Sequence, residues 1–194
     1  DGKEIPKKNA IDSYNAGYKT ICDIGIDRIK KSAEKIKKET NADIDYGFKI
    51  YELNNPSNDT LDKIESFDET LNKMYPEDFR DYFKFNSIVG EETILQTWKV
   101  QDGYGFTVNH EEVYLDDMVA YQVEKTLYLI NPTQNDFIKS LIEKFEKELS
   151  KINKVVIFGY SYTFTQMQSL DVNIKNYNDA IKDVKTEITI EVRY

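Results

Sequence analysis

The stretch 154-KVVIFGY-160 holds an unbroken apolar run from Val155 to Phe158. A strand with one wet face alternates apolar and polar residues. A strand that is apolar at every position is covered on both faces, as in the parallel sheets of α/β proteins. The flanking sequence supports that reading. Upstream, 125-KTLYLI-130 predicts a strand that ends at Asn131-Pro132, and a helix over about 134–150 carries Phe137, Leu141, Phe145 and Leu149 at four-residue steps. Downstream, a helix is expected over about 165–178 and a strand over 187-EITIEVRY-194. Strand, helix, strand, helix, strand predicts a C-terminal β-α-β-α-β unit with a mainly parallel sheet and right-handed crossovers, hence an α/β fold.

Short strands are expected ahead of this unit, over 105–109, 111–115 and 118–123, after the turn residues 102-DGYG-105. Residues 60–98 read as two or three helices. Leu61, Ile64, Phe67 and Leu71 form one stripe, Pro76 restarts the pattern, and Ile88 to Trp98 is a further candidate. The stretch 54-NNPSND-59 is a break and places a domain boundary near residue 55. Before it, 46-YGFKIYEL-53 alternates as a strand does. A helix over 24–39 carries the stripe Ile26, Ile29, Ala33 and Ile36. Residues 1–16, with Pro6, read as a loop. No repeat or low-complexity tract is present.

A chain of 194 residues, 40% apolar and 13% aromatic, is globular in composition. It can bury roughly 70% of its unfolded surface and needs no staples. One cysteine, Cys22, excludes an intramolecular disulfide and points to a reducing, cytoplasmic compartment. The residue itself reads as core more readily than as reactive thiol. No run reaches the roughly 18 apolar residues of a membrane span, and no signal peptide opens the chain. Its first residue is Asp1 rather than Met, as expected of a piece of a longer protein.

The net charge is −9, distributed unevenly. Residues 1–50 carry 11 basic and 9 acidic side chains, while 51–194 carry 15 and 26. Contact with a polyanion rests on cation density, so any DNA contact is expected in the first quarter. There, 27-DRIKKSAEKIKKE-39 holds six Lys or Arg. Arg28, Lys30, Lys31 and Lys35 are the candidate phosphate contacts. The bland alternative is the solvated face of an ordinary helix.

Other motifs are weak. Gly159-Tyr160-Ser161 follows an apolar strand, as a nucleophile elbow does, but Thr163 stands where the second glycine belongs and the lone His110 has no supporting pattern. In 127-LYLINPTQ-134, Asn131-Pro132 matches half of the Asn-Pro-Pro-aromatic motif of amino-methyltransferases, with Thr133 and Gln134 replacing the rest. One Cys and one His make no zinc cluster, and the pairs Glu91-Glu92, Glu111-Glu112 and Asp116-Asp117 fix no coordination geometry. No catalytic, cofactor-binding or metal residue is assigned.

The stretch 14-YNAGYKTICDIGIDRIKKSAEKIKKE-39 adds a resemblance. Its Gly17 to Ile21, Asp23-Ile24 and Arg28-Ile29 resemble a segment of the methylation (Mod) subunits of type III restriction–modification systems. Gly47-Phe48-Lys49-Ile50 with Leu53 is similar to a strand of that family. The likeness continues more loosely over 88–194, through 155-VVIFGYSY-162 and 190-IEVRY-194. It implies a site-specific adenine-N6 DNA methyltransferase that uses S-adenosylmethionine, works with a restriction (Res) subunit, and leaves a homodimer open. The family's Asp-Pro-Pro-Tyr and Phe-x-Gly-x-Gly motifs are absent from this sequence. The resemblance therefore implies the C-terminal part of such a subunit, inactive alone, with 1–55 finishing the methyltransferase domain and 56–194 forming a separate α/β domain. That part would serve assembly, restriction-subunit contact or DNA clamping. The stripe of the basic helix would pack on the methyltransferase sheet, or on the C-terminal domain. The alternatives are a stand-alone protein-binding module and a small hydrolase built on Ser161.

Overall fold

The computed structural model describes residues 10–53, 55–67, 78–131, 133, 136–147, 149, 151–181 and 187–194. The chain divides into two compact units, Asp1–Tyr51 and Glu52–Tyr194.

The first unit contains α1 (Ile11–Asn15) and α2 (Ile21–Thr40). Helix α2 begins one turn earlier than the periodicity suggests, because its cap is Thr20. The Thr20 hydroxyl accepts from the Asp23 N–H, and the Asp23 carboxylate accepts from the Thr20 N–H at 2.8 Å. This reciprocal box satisfies amides that the first turn leaves open. The helix ends at Asn41, whose left-handed φ of 47° reverses the chain. Among the described residues, nothing in this unit is buried. Ile26 and Ala33 of the stripe are half-buried, while Ile29 and Ile36 keep 51% and 46% of their surface exposed. Residues 46–53 lie in no sheet, in contrast to the expected strand. A strand exists only beside another strand that takes its hydrogen bonds, and the described part of this unit contains none. Residues 1–9, including Pro6, fall outside the description.

The second unit starts with α3 (Asn58–Glu65), capped by Ser57, then a 3₁₀ turn over Phe79–Phe83 and α4 (Gly90–Gln101). Leu71 and Pro76, part of the expected helices, lie outside the described residues. The strands are β1 (Glu111–Leu115), β2 (Met118–Val123), β3 (Thr126–Leu129), β4 (Lys154–Phe158) and β5 (Thr189–Arg193). Helix α5 (Ile138–Lys147) joins β3 to β4, and α6 (Phe164–Ile181) precedes β5. The outer parts of the helix expected over 134–150 include Gln134, Asn135, Glu148 and Ser150, outside the described residues. Thr163 and Gln166 cap α6 reciprocally: the Thr163 hydroxyl accepts from the Gln166 N–H, and the Gln166 carbonyl accepts from the Thr163 N–H at 2.9 Å. The strand expected over 105–109 is absent. The turn beginning at Asp102 runs on through 105–107, with Gly105 at φ 73°.

The five strands lie in chain order, β1-β2-β3-β4-β5. The α/β class and the parallel β3-α5-β4-α6-β5 unit match expectation. The sheet as a whole is mixed rather than mainly parallel, because β1/β2 and β2/β3 are antiparallel. Connection length is the reason. Two-residue links, opened by Asp116 and Glu124 with φ of 53° and 50°, turn the chain straight back. Helical crossovers instead return the chain to the start of the sheet and give parallel neighbours.

Both sheet faces are covered. On one, Leu115, Met118, Leu127, Leu129, Val155 and Ile157 pack against Leu141 and Phe145 of α5 and Leu170 and Ile174 of α6. On the other, Tyr128, Ile130, Val156 and Phe158 pack against Ile94, Leu95 and Trp98 of α4, joined by Phe79 and Tyr160. Every residue of β3 is buried, as are Val155 to Phe158 of β4. This explains the continuous apolar run. Both crossovers step in the same direction along the sheet, which sets α5 and α6 on one face and leaves the other to α4.

Gly90 marks a close approach of backbone to backbone. A Cβ there would lie 1.6 Å from the Arg80 carbonyl oxygen. Gly90→Ala is therefore expected to force apart α4 and the 3₁₀ turn and to cost about 1–3 kcal/mol, read as a lower urea midpoint. Phe145→Ala, which empties a fully buried site, should cost about 3–5 kcal/mol in the same assay.

Candidate functional site

The basic helix comes first. Residues three, four and seven apart share a helix face. Arg28, Lys31 and Lys35 accordingly lie along one flank of α2, while Lys30 lies across the apolar stripe with Lys37. The four predicted phosphate contacts are thus split three to one. Lys31 Nζ is 2.7 Å from the Asp27 carboxylate, which also accepts from the Tyr18 hydroxyl at 2.6 Å. Those hydrogen bonds, from Lys31 first and then Tyr18, hold Asp27 below the usual carboxylate range, and Asp27 raises Lys31. Lys35 lies 3.7 Å from Glu39, and Lys37 sits 6.0 Å from the centre of the Tyr46 ring. Among the described residues, Arg28 and Lys30 make no ion pair. Between the two flanks runs a groove of about 560 Å³ lined by Gly25, Arg28, Ile29, Ser32, Ala33, Ile36, Ile44 and Tyr46. Cys22, read as a core residue, is instead exposed, since α2 presents that side to solvent within this unit.

Asn131 closes β3. Its amide donates to Glu91 at 2.6 Å and to the Val119 carbonyl at 2.8 Å, and its side-chain oxygen accepts from Arg80. Its backbone carbonyl accepts from the Tyr162 hydroxyl at 2.6 Å. Arg80 forks onto Asp78 at 2.8 and 2.6 Å and reaches Glu91 at 3.2 Å, and the Tyr121 hydroxyl donates to Glu91. An amino-methyltransferase needs that carbonyl and side chain free for the target amino group. Here both are engaged within the protein, so the half-motif is a strand-end tie. Pro132 and Gln134 lie outside the described residues.

Gly159-Tyr160-Ser161 forms a buried 3₁₀ turn. The Tyr194 ring lies over Gly159, where a Cβ would meet it at 2.4 Å. Ser161 is 3% exposed and its hydroxyl has no hydrogen-bond partner among the described residues. The His110 ring instead packs edge-on against Tyr121, 5.2 Å between centroids. A nucleophile requires a base within reach and an open face, and this turn offers neither. The acidic pairs also separate: Glu91 joins the Asn131 cluster, and Glu92 accepts from Gln96 at 2.7 Å. Among the described residues no group of three or more metal-ligating side chains occurs, and no helix is long and apolar enough to cross a membrane.

One cluster escaped the sequence reading. Asp102, just past α4, accepts from Tyr128 of β3 at 2.6 Å, Lys154 of β4 at 3.1 Å and Arg193 of β5 at 2.6 and 3.1 Å. Glu191 bridges Lys154 and Arg193 at 2.6 and 2.7 Å, and Arg193 lies 5.5 Å from the centre of the Trp98 ring. Burial pushes the Asp102 carboxyl up, but the hydrogen bonds from Arg193, Tyr128 and Lys154 outweigh it and hold the pKa below the ordinary value. Arg193 and Lys154 lower Glu191 likewise. The available signal was the polar alternation Thr189, Glu191, Arg193. The register sets these residues opposite Lys154, Val156 and Phe158.

The chain is similar to known proteins over most of its length. Residues 89–184 match the family described as the type III R-M EcoP15I C-terminal domain. The chain is 29% identical to the StyLTI Mod subunit of Salmonella typhimurium, over 88% of this chain and 29% of that protein. It is 26% identical to the EcoP15I Mod subunit of Escherichia coli, over 95% and 27%, and 26% identical to the EcoPI Mod subunit of Escherichia phage P1, over 94% and 27%. All three are Mod subunits of type III restriction–modification enzymes. The resemblance to the C-terminal part of such a subunit is borne out. The chain spans less than a third of the length of these curated relatives.

Asp102→Ala leaves Arg193 and Lys154 with Glu191 as their remaining carboxylate, in a site where the Asp102 side chain is only 11% exposed. It should cost roughly 3 kcal/mol, the low end for breaking a buried ion pair. Because the folded Asp102 and Glu191 pKa values are depressed, their stabilisation is present above the unfolded values of about 3.9 and 4.3 and is lost as pH falls through the folded ones. The thermal midpoint should therefore drop steeply below about pH 4, and more gently in Asp102→Asn. Separately, Cys22 should react with a maleimide in the native chain as fast as in the urea-unfolded one. Protection would mean that α2 is covered in solution.

Proposed function

We propose, from this kinship, that the chain is the C-terminal part of a type III restriction–modification DNA adenine-N6 methyltransferase, where it serves assembly, contact with the restriction subunit or DNA clamping. The match over 89–184, with similarity to Mod subunits extending over most of the chain, carries the reading. The parent enzyme takes S-adenosylmethionine, acts on DNA in the cytoplasm and pairs with a Res subunit, with a homodimer left open.

This chain's own residues do not fit the cofactor. The carboxyl ends of β3 and β4 are where an α/β sheet opens to ligands, yet Asn131 is fully engaged there and Tyr194 covers Gly159. Cofactor and catalysis are therefore assigned to parts of the parent outside this chain, which by itself is inactive. Residues 1–55 finish the methyltransferase domain and 56–194 form the separate C-terminal domain. The half-exposed stripe of α2 supports that division: Ile29 and Ile36 keep about half of their surface open in their own unit, as packing residues awaiting a further surface do. In the parent, the stripe lies against the methyltransferase sheet and 46–53 supplies a strand.

Phosphate contact falls to Arg28, Lys31 and Lys35 on one flank of α2, with Lys30 on the other. Such contacts position DNA without reading sequence. A net charge of −9 keeps the isolated chain a weak binder.

The reading is tested first at the gene. The frame upstream of the Asp1 codon should encode Asp-Pro-Pro-Tyr and, later, Phe-x-Gly-x-Gly, and the longer polypeptide should methylate adenine with S-adenosylmethionine. A start codon just before Asp1 would leave a stand-alone protein-binding module, a reading favoured by the two-sided core of the second unit. In the full-length protein, Arg28→Glu with Lys35→Glu should weaken binding to all DNA sequences alike and lower the salt slope by about 1–2. Unchanged affinity and slope would remove the phosphate contacts from the proposal.

A further inference from the structure

We draw no further inference here: the strongest candidate, the apolar groove along α2 between Ile29, Ala33, Ile36, Ile44 and Tyr46, is flanked by cations and carboxylates alike, and nothing in the structure shows what covers it beyond the packing already proposed.

Discussion

A single carboxylate ties the second unit together. Asp102 receives hydrogen bonds from β3, β4 and β5 at once, through Tyr128, Lys154 and Arg193. Those three donors come from residues as far as 91 positions away in sequence. The tie fixes where α4 ends over the sheet, and so which face Ile94, Leu95 and Trp98 cover. Partly buried charges of this kind hold their place only when every partner is present, since a stranded one carries its full desolvation cost. Two acids and two bases balance here, and the Arg193 guanidinium also lies against the Trp98 ring, where its weakly hydrated plane loses little by leaving water.

A second tie closes the opposite region of the same face. Arg80, Glu91 and Asn131 join the 3₁₀ turn, the start of α4 and the end of β3. With Tyr121 and Tyr162 they engage both the side chain and the backbone carbonyl of Asn131 at the end of β3 and the carboxylate of Glu91 beside it. The second unit is thus a three-layer scaffold whose polar groups look inward to one another. That architecture suits a domain that presents an outer surface.

The first unit contrasts in every respect. Its long helix is well capped at both ends, so it is locally determined, yet among the described residues its stripe faces Ile44 and Tyr46 across an open groove and buries no residue fully. Capping contributes on the order of 1 kcal/mol, and most of a helix's stability in a protein comes from burying its apolar face. The missing burial is therefore the largest open contribution in the described part of this unit. The cations beside the stripe are partly answered by Asp27 and Glu39 on the same helix, so their field is local and modest.

Much was determined by the sequence alone. The apolar run Val155–Phe158 called for a strand covered on both faces, the four-residue steps of Leu141 and Phe145 for a helix, and 14–53 for kinship with Mod subunits. These are short-range signals, because periodicity and caps are properties of neighbouring residues. The candidate site was legible only as a list of cations, and helix geometry then separated Lys30 from the other three. Only the tertiary structure decided that two-residue links make half of the sheet antiparallel, that 46–53 lies in no sheet here, that Asn131 is engaged, and that Asp102 gathers three strands. Each of these depends on a partner distant in the chain, and no local pattern can specify which distant group will arrive.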